Sequence, residues 1–266
     1  MNDPNVSENL VYERFGKGEK VLFAFHGFGQ DRSIFRSWER KLGKIYTLYA
    51  FDLFNHGESS DSRQNLSKRT WKLHIDQVLK KNGIDKFSVL GYSLGGRFAL
   101  STALSFPKQI EEIILIAPDG IFLTLWFKLA TTPGIRFVFK YMMENPDRLE
   151  KWIQYNDKVK IVNKYVSDFI RKELNSKENR SRVYISWNHF KTLGYKRRIL
   201  IKKFQELTFK KSIILGSKDH IIRPVDILPI VDQMGGFEIN VLKKKHHQLL
   251  DRDVAELIAE KSILEK

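Results

Sequence analysis

The stretch "VLGYSLGGRFALS", Val89–Ser101, sets a serine between two glycines in the spacing G-x-S-x-G. An apolar run of strand-forming residues leads into it, and the helix-compatible "GGRFALSTAL" follows. In that context the pattern reads as a sharp strand-to-helix turn with an exposed hydroxyl. Gly91 and Gly95 leave room for the turn, and the following helix aims its N-terminal amides at Ser93. A plain tight turn is the competing reading, so the rest of the chain has to supply the partners that a reactive serine needs.

A serine hydroxyl is a weak nucleophile unless a base takes its proton, an acid orients that base, and fixed donors stabilise the developing oxyanion. The backbone N–H of Leu94, directly after the serine, is one candidate donor. "HGFGQD", His26–Asp31, follows an early strand-like run and offers the amide of Phe28 as the other. The side chain of His26 reads as a packing and hydrogen-bonding group. "ILGSKDHIIRP" delivers Asp219 at the end of a later apolar run as the candidate acid, and "VLKKKHHQLLDRD" offers two candidate bases, His246 and His247. The order is therefore serine, aspartate, histidine.

Working outward, short apolar runs rich in β-branched and aromatic residues recur at Lys20–Gly27, Lys44–Asp52, Phe87–Ser93 and Glu111–Gly120, each closed by turn formers. Runs apolar on both faces predict buried strands of a mainly parallel sheet, with crossover helices between them. Trp71, Ile75, Val78 and Leu79 recur at helical spacing before the stop at Asn82 and Gly83. From Ile121 to Arg197 the rhythm changes to an aromatic, basic and helical pattern punctuated by Pro133-Gly134 and Asn145-Pro146-Asp147. Strand-like runs return at Lys211–Asp219 and Phe237–Lys244, before a final helix burying Val254, Leu257 and Ile258. The expected architecture is an α/β fold with a mostly parallel, doubly wound sheet: a core of residues 1–120 and 198–266, and a helical lid inserted at 121–197.

At 266 residues and 42% hydrophobic composition the chain can bury a substantial core. There is no cysteine, which excludes disulfides, thiolate metal sites and a cysteine nucleophile. The first twenty residues lack the basic start and apolar run of a secretory signal, and no segment approaches a membrane span, so a cytoplasmic protein is expected. Lysine and arginine number 46 against 31 acidic residues, a formal charge of +15. From Gly120 to Arg197 the count is 16 against 7, so the excess is concentrated on the insertion. Such a field favours acidic substrates or peripheral contact with an anionic lipid surface, while a solvated helical face is the plain alternative. No nucleic-acid reading motif accompanies the charge.

Together, "HGFGQD", "FDLFNHGES", "GYSLGG", "GSKDHIIRP" and "HHQLL" resemble, in order and over nearly the full length, the α/β-hydrolase superfamily in its serine-hydrolase form with a helical lid. The resemblance implies Ser93 as nucleophile, Asp219 as triad acid, one of the paired histidines as base, and Phe28 and Leu94 as backbone oxyanion donors. No metal or organic cofactor is implied. The aspartate that replaces the serine in the superfamily's dehalogenases and epoxide hydrolases is absent. Asn55 stands where the family's D-x-x-G-H-G-x-S pattern has glycine, a place asparagine tolerates; Asp52 and His56 of that loop read as structural. His246 occupies the place of the glycine that usually precedes the catalytic histidine, which favours His247 as base, with His246 as the alternative.

The expected activity is hydrolysis of a small carboxylic ester through an acyl-enzyme, with the aromatic lid residues Leu125, Trp126, Phe127, Phe137, Phe139 and Trp152 lining an apolar pocket or packing among themselves. Arg97 and Tyr92 are candidate substrate contacts. "GYSLGGR" also resembles the corresponding turn of a menaquinone-pathway lyase that eliminates pyruvate from a dicarboxylate, where arginines hold carboxylates. In that alternative Arg97 would clamp the substrate.

Overall fold

The computed structural model of the chain describes residues 10–59, 66–122, 131–132, 134–159, 167, 171 and 174–263. The fold divides into two compact units, Met1–Phe122 with Leu193–Lys266, and Leu123–Thr192.

The first unit is built on a seven-stranded sheet: β1 (Tyr12–Phe15), β2 (Lys20–Phe25), β3 (Tyr46–Phe51), β4 (Phe87–Tyr92), β5 (Ile110–Ile116), β6 (Lys210–Gly216) and β7 (Phe237–Leu242). Their spatial order is β1-β3-β2-β4-β5-β6-β7. Only β1 runs antiparallel, pairing with β3; β2 through β7 are parallel. β3 and β4 are buried at every position, as expected for strands apolar on both faces. The edge strand β1 escapes the sequence pattern because it is four residues long and carries Glu13 and Arg14.

Short α1 (Glu39–Leu42) and then α2 (Lys68–Asn82), α3 (Leu94–Ser105), α7 (Arg197–Gln205), α8 (Pro224–Met234) and α9 (Arg252–Ile263) belong to the same unit. In α2 the expected set Trp71, Ile75, Val78 and Leu79 is buried, joined by His74. The hydroxyl of Ser67 caps its first turn by accepting from Thr70 N at 3.0 Å, and Gly83 ends it in the left-handed region at φ 63°. Trp71 lies across Phe25 and Phe98, with centroids 5.5 and 4.9 Å away, and its indole donates to Thr102 Oγ1 at 2.9 Å. Each such aromatic contributes roughly 1.5–3 kcal/mol through burial. A second set packs elsewhere in the core: Leu22, Ala24, Leu48, Leu90 and Ile114 with Trp38, Ala255 and Ile258. In α9, Val254 and Ile258 are buried as expected, while Leu257 is only partly covered.

The second unit contains α4 (Ile135–Glu144), α5 (Pro146–Val159) and α6 (Lys177–Phe190). Phe139 stacks on Trp187 at 5.4 Å with rings 3° apart. The buried Arg180 ties three segments together by donating to the carbonyls of Met143 at 2.8 Å and Leu174 at 3.1 Å. Phe137 is 62% exposed, whereas Leu125, Trp126 and Phe127 lie outside the described residues. Residues 193–197, read from sequence as part of the insertion, fall in the first unit. Leu193 is fully buried, and Lys68 of α2 donates to Gly194 O at 2.8 Å while lying 4.4 Å from the Tyr195 ring centroid.

Candidate active site

Parallel strands end on one edge of a sheet, and such edges bring together side chains distant in sequence. Here that edge receives the turn after β2, Ser93 after β4, Asp219 after β6 and His246 after β7.

Ser93 adopts φ 49° and ψ −117°, a conformation that side-chain-bearing residues rarely take. The surroundings hold it there: Ser93 N donates to Ile116 O at 3.0 Å, and Ser93 O accepts from Gly96 N at 2.9 Å and Asp119 N at 2.8 Å. The flanking glycines are needed for close approach. A Cβ on Gly91 would lie 2.5 Å from Gly95 O, and one on Gly95 would lie 2.1 Å from Phe25 O.

The Ser93 Oγ is 3.0 Å from His246 Nε2, and His246 Nδ1 is 2.6 Å from Asp219 Oδ2. A carboxylate only accepts, so the proton between them sits on Nδ1 and leaves Nε2 to accept from the serine. The other Asp219 oxygen accepts from the amides of Ile221 and Ile222 at 2.8 and 2.9 Å, and the residue is 3% exposed. The acid is thus held in one orientation. This is the geometry of a general base next to a hydroxyl, itself oriented by a buried carboxylate.

The structure corrects the choice between the two histidines: His246, not His247, stands at Ser93. β7 ends at Leu242, and backbone bonds from Ser217 N to Leu242 O at 2.8 Å and Lys218 N to Lys244 O at 3.1 Å lace the loop carrying His246 to the loop carrying Asp219. His246 then opens a 3₁₀ turn, His246–Leu250. Successive side chains of such a turn point roughly 120° apart, so His247 turns outward and is exposed. Asp251, five places beyond His246, pairs with Lys244 at 2.9 Å.

Leu94 opens α3, where the first-turn amides have no acceptor within the helix. Phe28 follows β2 in a turn braced on both sides: Gly27 N donates to Gln30 Oε1 at 3.0 Å, and Gln30 N to Gly27 O at 3.4 Å. His26 is fully buried beneath this turn. Its Nδ1 donates to Gly27 O at 2.7 Å, its Nε2 accepts from Leu53 N at 3.0 Å, and burial lowers its pKa to about 4. His26 is a neutral strut between two loops. Asp52 has the same character, accepting from the amides of Arg32 at 2.7 Å and Glu58 at 2.8 Å and pairing with the Arg32 guanidinium. Asn55 takes the left-handed backbone at φ 62°, and His56 Nδ1 lies 3.0 Å from Phe54 O.

The two candidate substrate contacts are placed differently from expectation. Arg97 is 1% exposed, and its Nη2 reaches both carboxylate oxygens of Asp119, at 3.0 and 2.8 Å. A buried guanidinium paired in this way braces the first turn of α3 against the loop after β5. Tyr92 is 3% exposed and donates its hydroxyl to the backbone carbonyl of His246 at 3.2 Å. Among the described residues no group of three or more histidine, cysteine or acidic side chains is arranged to hold a metal ion. None of the described helices is long and apolar enough to cross a membrane.

Comparison with known proteins gives this geometry a setting. A pimeloyl-[acyl-carrier protein] methyl ester esterase of Salmonella heidelberg is 30% identical over 122 residues, 46% of this chain and 43% of that protein. The chain spans less than half the length of the curated relatives it matches. Among solved structures, a thermophilic esterase from Thermogutta terrifontis superposes with a TM-score of 0.70 at 18% identity, over 96% of this chain and 93% of that one. A meta-cleavage product hydrolase from Pseudomonas fluorescens gives 0.66 at 18%, over 98% and 96%. At these identities the likeness concerns the fold, and the fold serves more than one hydrolase. Residues 20–253, which hold strands β2 to β7 and the turns carrying Ser93, Asp219 and His246, match the alpha/beta hydrolase fold family, and the chain belongs to it.

Proposed function

We propose that the protein is a serine hydrolase acting on small carboxylic esters. The observation that carries this reading is the unbroken hydrogen-bond chain from Ser93 Oγ through His246 to Asp219. His246 takes the serine proton as Oγ attacks the ester carbonyl. The amides of Phe28 and Leu94 receive the oxyanion, and collapse expels the alcohol, protonated by His246. Water, deprotonated by the same imidazole, then releases the acid. This sequence runs on side chains and backbone amides and calls for no metal or organic cofactor.

Esterases among the relatives support the reaction class. The pairing of Arg97 with Asp119 speaks against the lyase alternative, because the guanidinium that would clamp a dicarboxylate is buried and engaged. The substrate we favour is acidic or lipid-like, in keeping with the positive charge that residues 120–197 carry, in a cytoplasmic setting. The exposed Lys218, Lys243 and Lys245, next to the acid and the base in sequence, support an anionic preference.

The test combines fluorophosphonate labelling with a series of p-nitrophenyl esters of increasing chain length. We expect labelling at Ser93 and a length optimum that sizes the pocket. Wild-type protein that neither labels nor turns over any ester removes the proposal.

A further inference from the structure

The base lies on a loop beyond β7, the outermost strand of the sheet, which pairs only with β6 among the described strands. An edge strand is a poor anchor for an imidazole that must stay within hydrogen-bond distance of the nucleophile, since misplacement by about 1 Å can slow a reaction about a hundredfold. Tyr92 meets this need from the nucleophile's own strand. It is the last residue of β4, directly before Ser93. Its hydroxyl donates to His246 O at 3.2 Å, and its ring lies against the imidazole with centroids 5.2 Å apart and planes tilted by 34°.

The ring is itself confined. A Cβ on Gly27 would lie 2.9 Å from it, so the turn carrying Phe28 closes on the tyrosine. Three links therefore form a closed circuit: the peptide from Tyr92 to Ser93, the hydrogen bond from Ser93 Oγ to His246 Nε2, and the hydrogen bond from Tyr92 back to the His246 carbonyl. We propose that Tyr92 is a positioning residue that fixes His246 against Ser93 through its hydroxyl and steadies the imidazolium through its ring. The ring faces a group that becomes cationic when it takes the serine proton, and an aromatic face within about 6 Å favours a cation. Burial and the charge of Asp219 push the phenol's pKa well above its ordinary value, so the hydroxyl keeps its proton across the working pH range.

The groups facing the imidazole are Asp219 on the β6 loop, Ser93 after β4 and Tyr92 itself. Replacing the tyrosine separates its two contributions without touching the other partners.

The inference rests on the hydrolase reading for its kinetic arm and stands without it for its structural arm. Tyr92→Phe keeps the ring and removes the donor; Tyr92→Leu removes both. For an ester turned over by the wild type, Tyr92→Phe is expected to lower kcat about tenfold with KM nearly unchanged, and to slow fluorophosphonate inactivation by the same factor. In Tyr92→Leu, which also takes the ring from beside the imidazole, kcat should fall further than in Tyr92→Phe. The proton shared by His246 and Asp219 gives a downfield nuclear magnetic resonance signal that needs no substrate, expected to be sharp in the wild type and broadened in both variants. A melting temperature lowered with rate constants and proton signal both as in the wild type would make Tyr92 a packing residue and overturn the inference. Should the wild type turn over nothing, the hydrolase reading falls, and the proton signal alone decides whether Tyr92 orders His246.

Discussion

Gly95 sits against the end of β2 so closely that a methyl group on its Cα would lie 2.1 Å from the carbonyl oxygen of Phe25 and 2.7 Å from that of His26. Both obstacles are backbone, so neither can swing aside. The serine turn and the turn carrying Phe28 are thereby set at one fixed spacing.

Gly95→Ala should accordingly push α3 away from β2 and move Leu94 relative to Phe28. We expect a loss of about 1–3 kcal/mol in stability, as for other overpacked sites, together with a fall in kcat larger than the change in KM. Urea unfolding and steady-state kinetics on one preparation check both. Wild-type stability and rate in the alanine variant would show that the two turns are not pressed together.

The two histidines give a sharper test. His246→Ala removes the group 3.0 Å from Ser93 Oγ, whereas His247 is exposed. Ester hydrolysis should fall on the order of a thousandfold or more in His246→Ala and in Ser93→Ala, and stay near the wild-type rate in His247→Ala. Fluorophosphonate labelling should follow the same order. Loss in His247→Ala with His246→Ala active, both shown to be folded by circular dichroism, would reverse the assignment.

That pair also marks where sequence stops being informative. The parallel sheet was legible because its strands are apolar on both faces, and the placement of Ser93 and Asp219 because each follows such a strand at a turn. Which histidine stands at Ser93 was not, because one residue of register decides it. That register depends on where β7 ends and on the backbone bond from Lys218 to Lys244, which joins segments 26 residues apart. Arg97 shows the same limit. Its position in the first turn after the serine suggested a substrate clamp, and only the path of the loop after β5 brings Asp119 to within 2.8 Å of it. The α2 stripe at Trp71, Ile75, Val78 and Leu79 needed no such knowledge, since local periodicity determines which face is buried.

Acid should weaken the fold through His26. Folded, this imidazole titrates at about 4; unfolded, it returns to 6.5. The unfolded chain therefore binds the extra proton over that interval, and stability falls as pH drops from 6.5 toward 4, then levels off for this group. The loss is on the order of 3 kcal/mol at most. His26→Ala should be less stable than the wild type at neutral pH, because Leu53 N loses its acceptor and Gly27 O its donor, yet the gap between the two proteins should narrow as pH falls through this window. Urea midpoints measured at half-unit steps from pH 7.5 to 4 follow the difference. A gap that stays constant over the whole range would mean that His26 is not the neutral strut the structure shows.

Charge provides the last test, of substrate class. The chain carries +15 overall, with 16 lysines and arginines against 7 acidic residues between Gly120 and Arg197. Near Asp219 and His246 in sequence, the carboxylates of Asp251 and Asp253 are already engaged by Lys244, while Lys218, Lys243 and Lys245 are exposed. These three lysines lie within three residues of Asp219 or His246 along the chain, a span comparable to the screening length of about 8–10 Å at physiological salt. An ester bearing a distant carboxylate should therefore be captured faster than its neutral isostere. We expect a kcat/KM advantage of about tenfold at low ionic strength that shrinks toward unity as salt is raised, while the neutral ester changes little. An advantage confined to KM and kcat/KM, with kcat equal for the two esters, would place the effect in capture rather than chemistry. Parallel salt profiles for the two esters would instead make the basic surface a solvated face with no part in substrate choice.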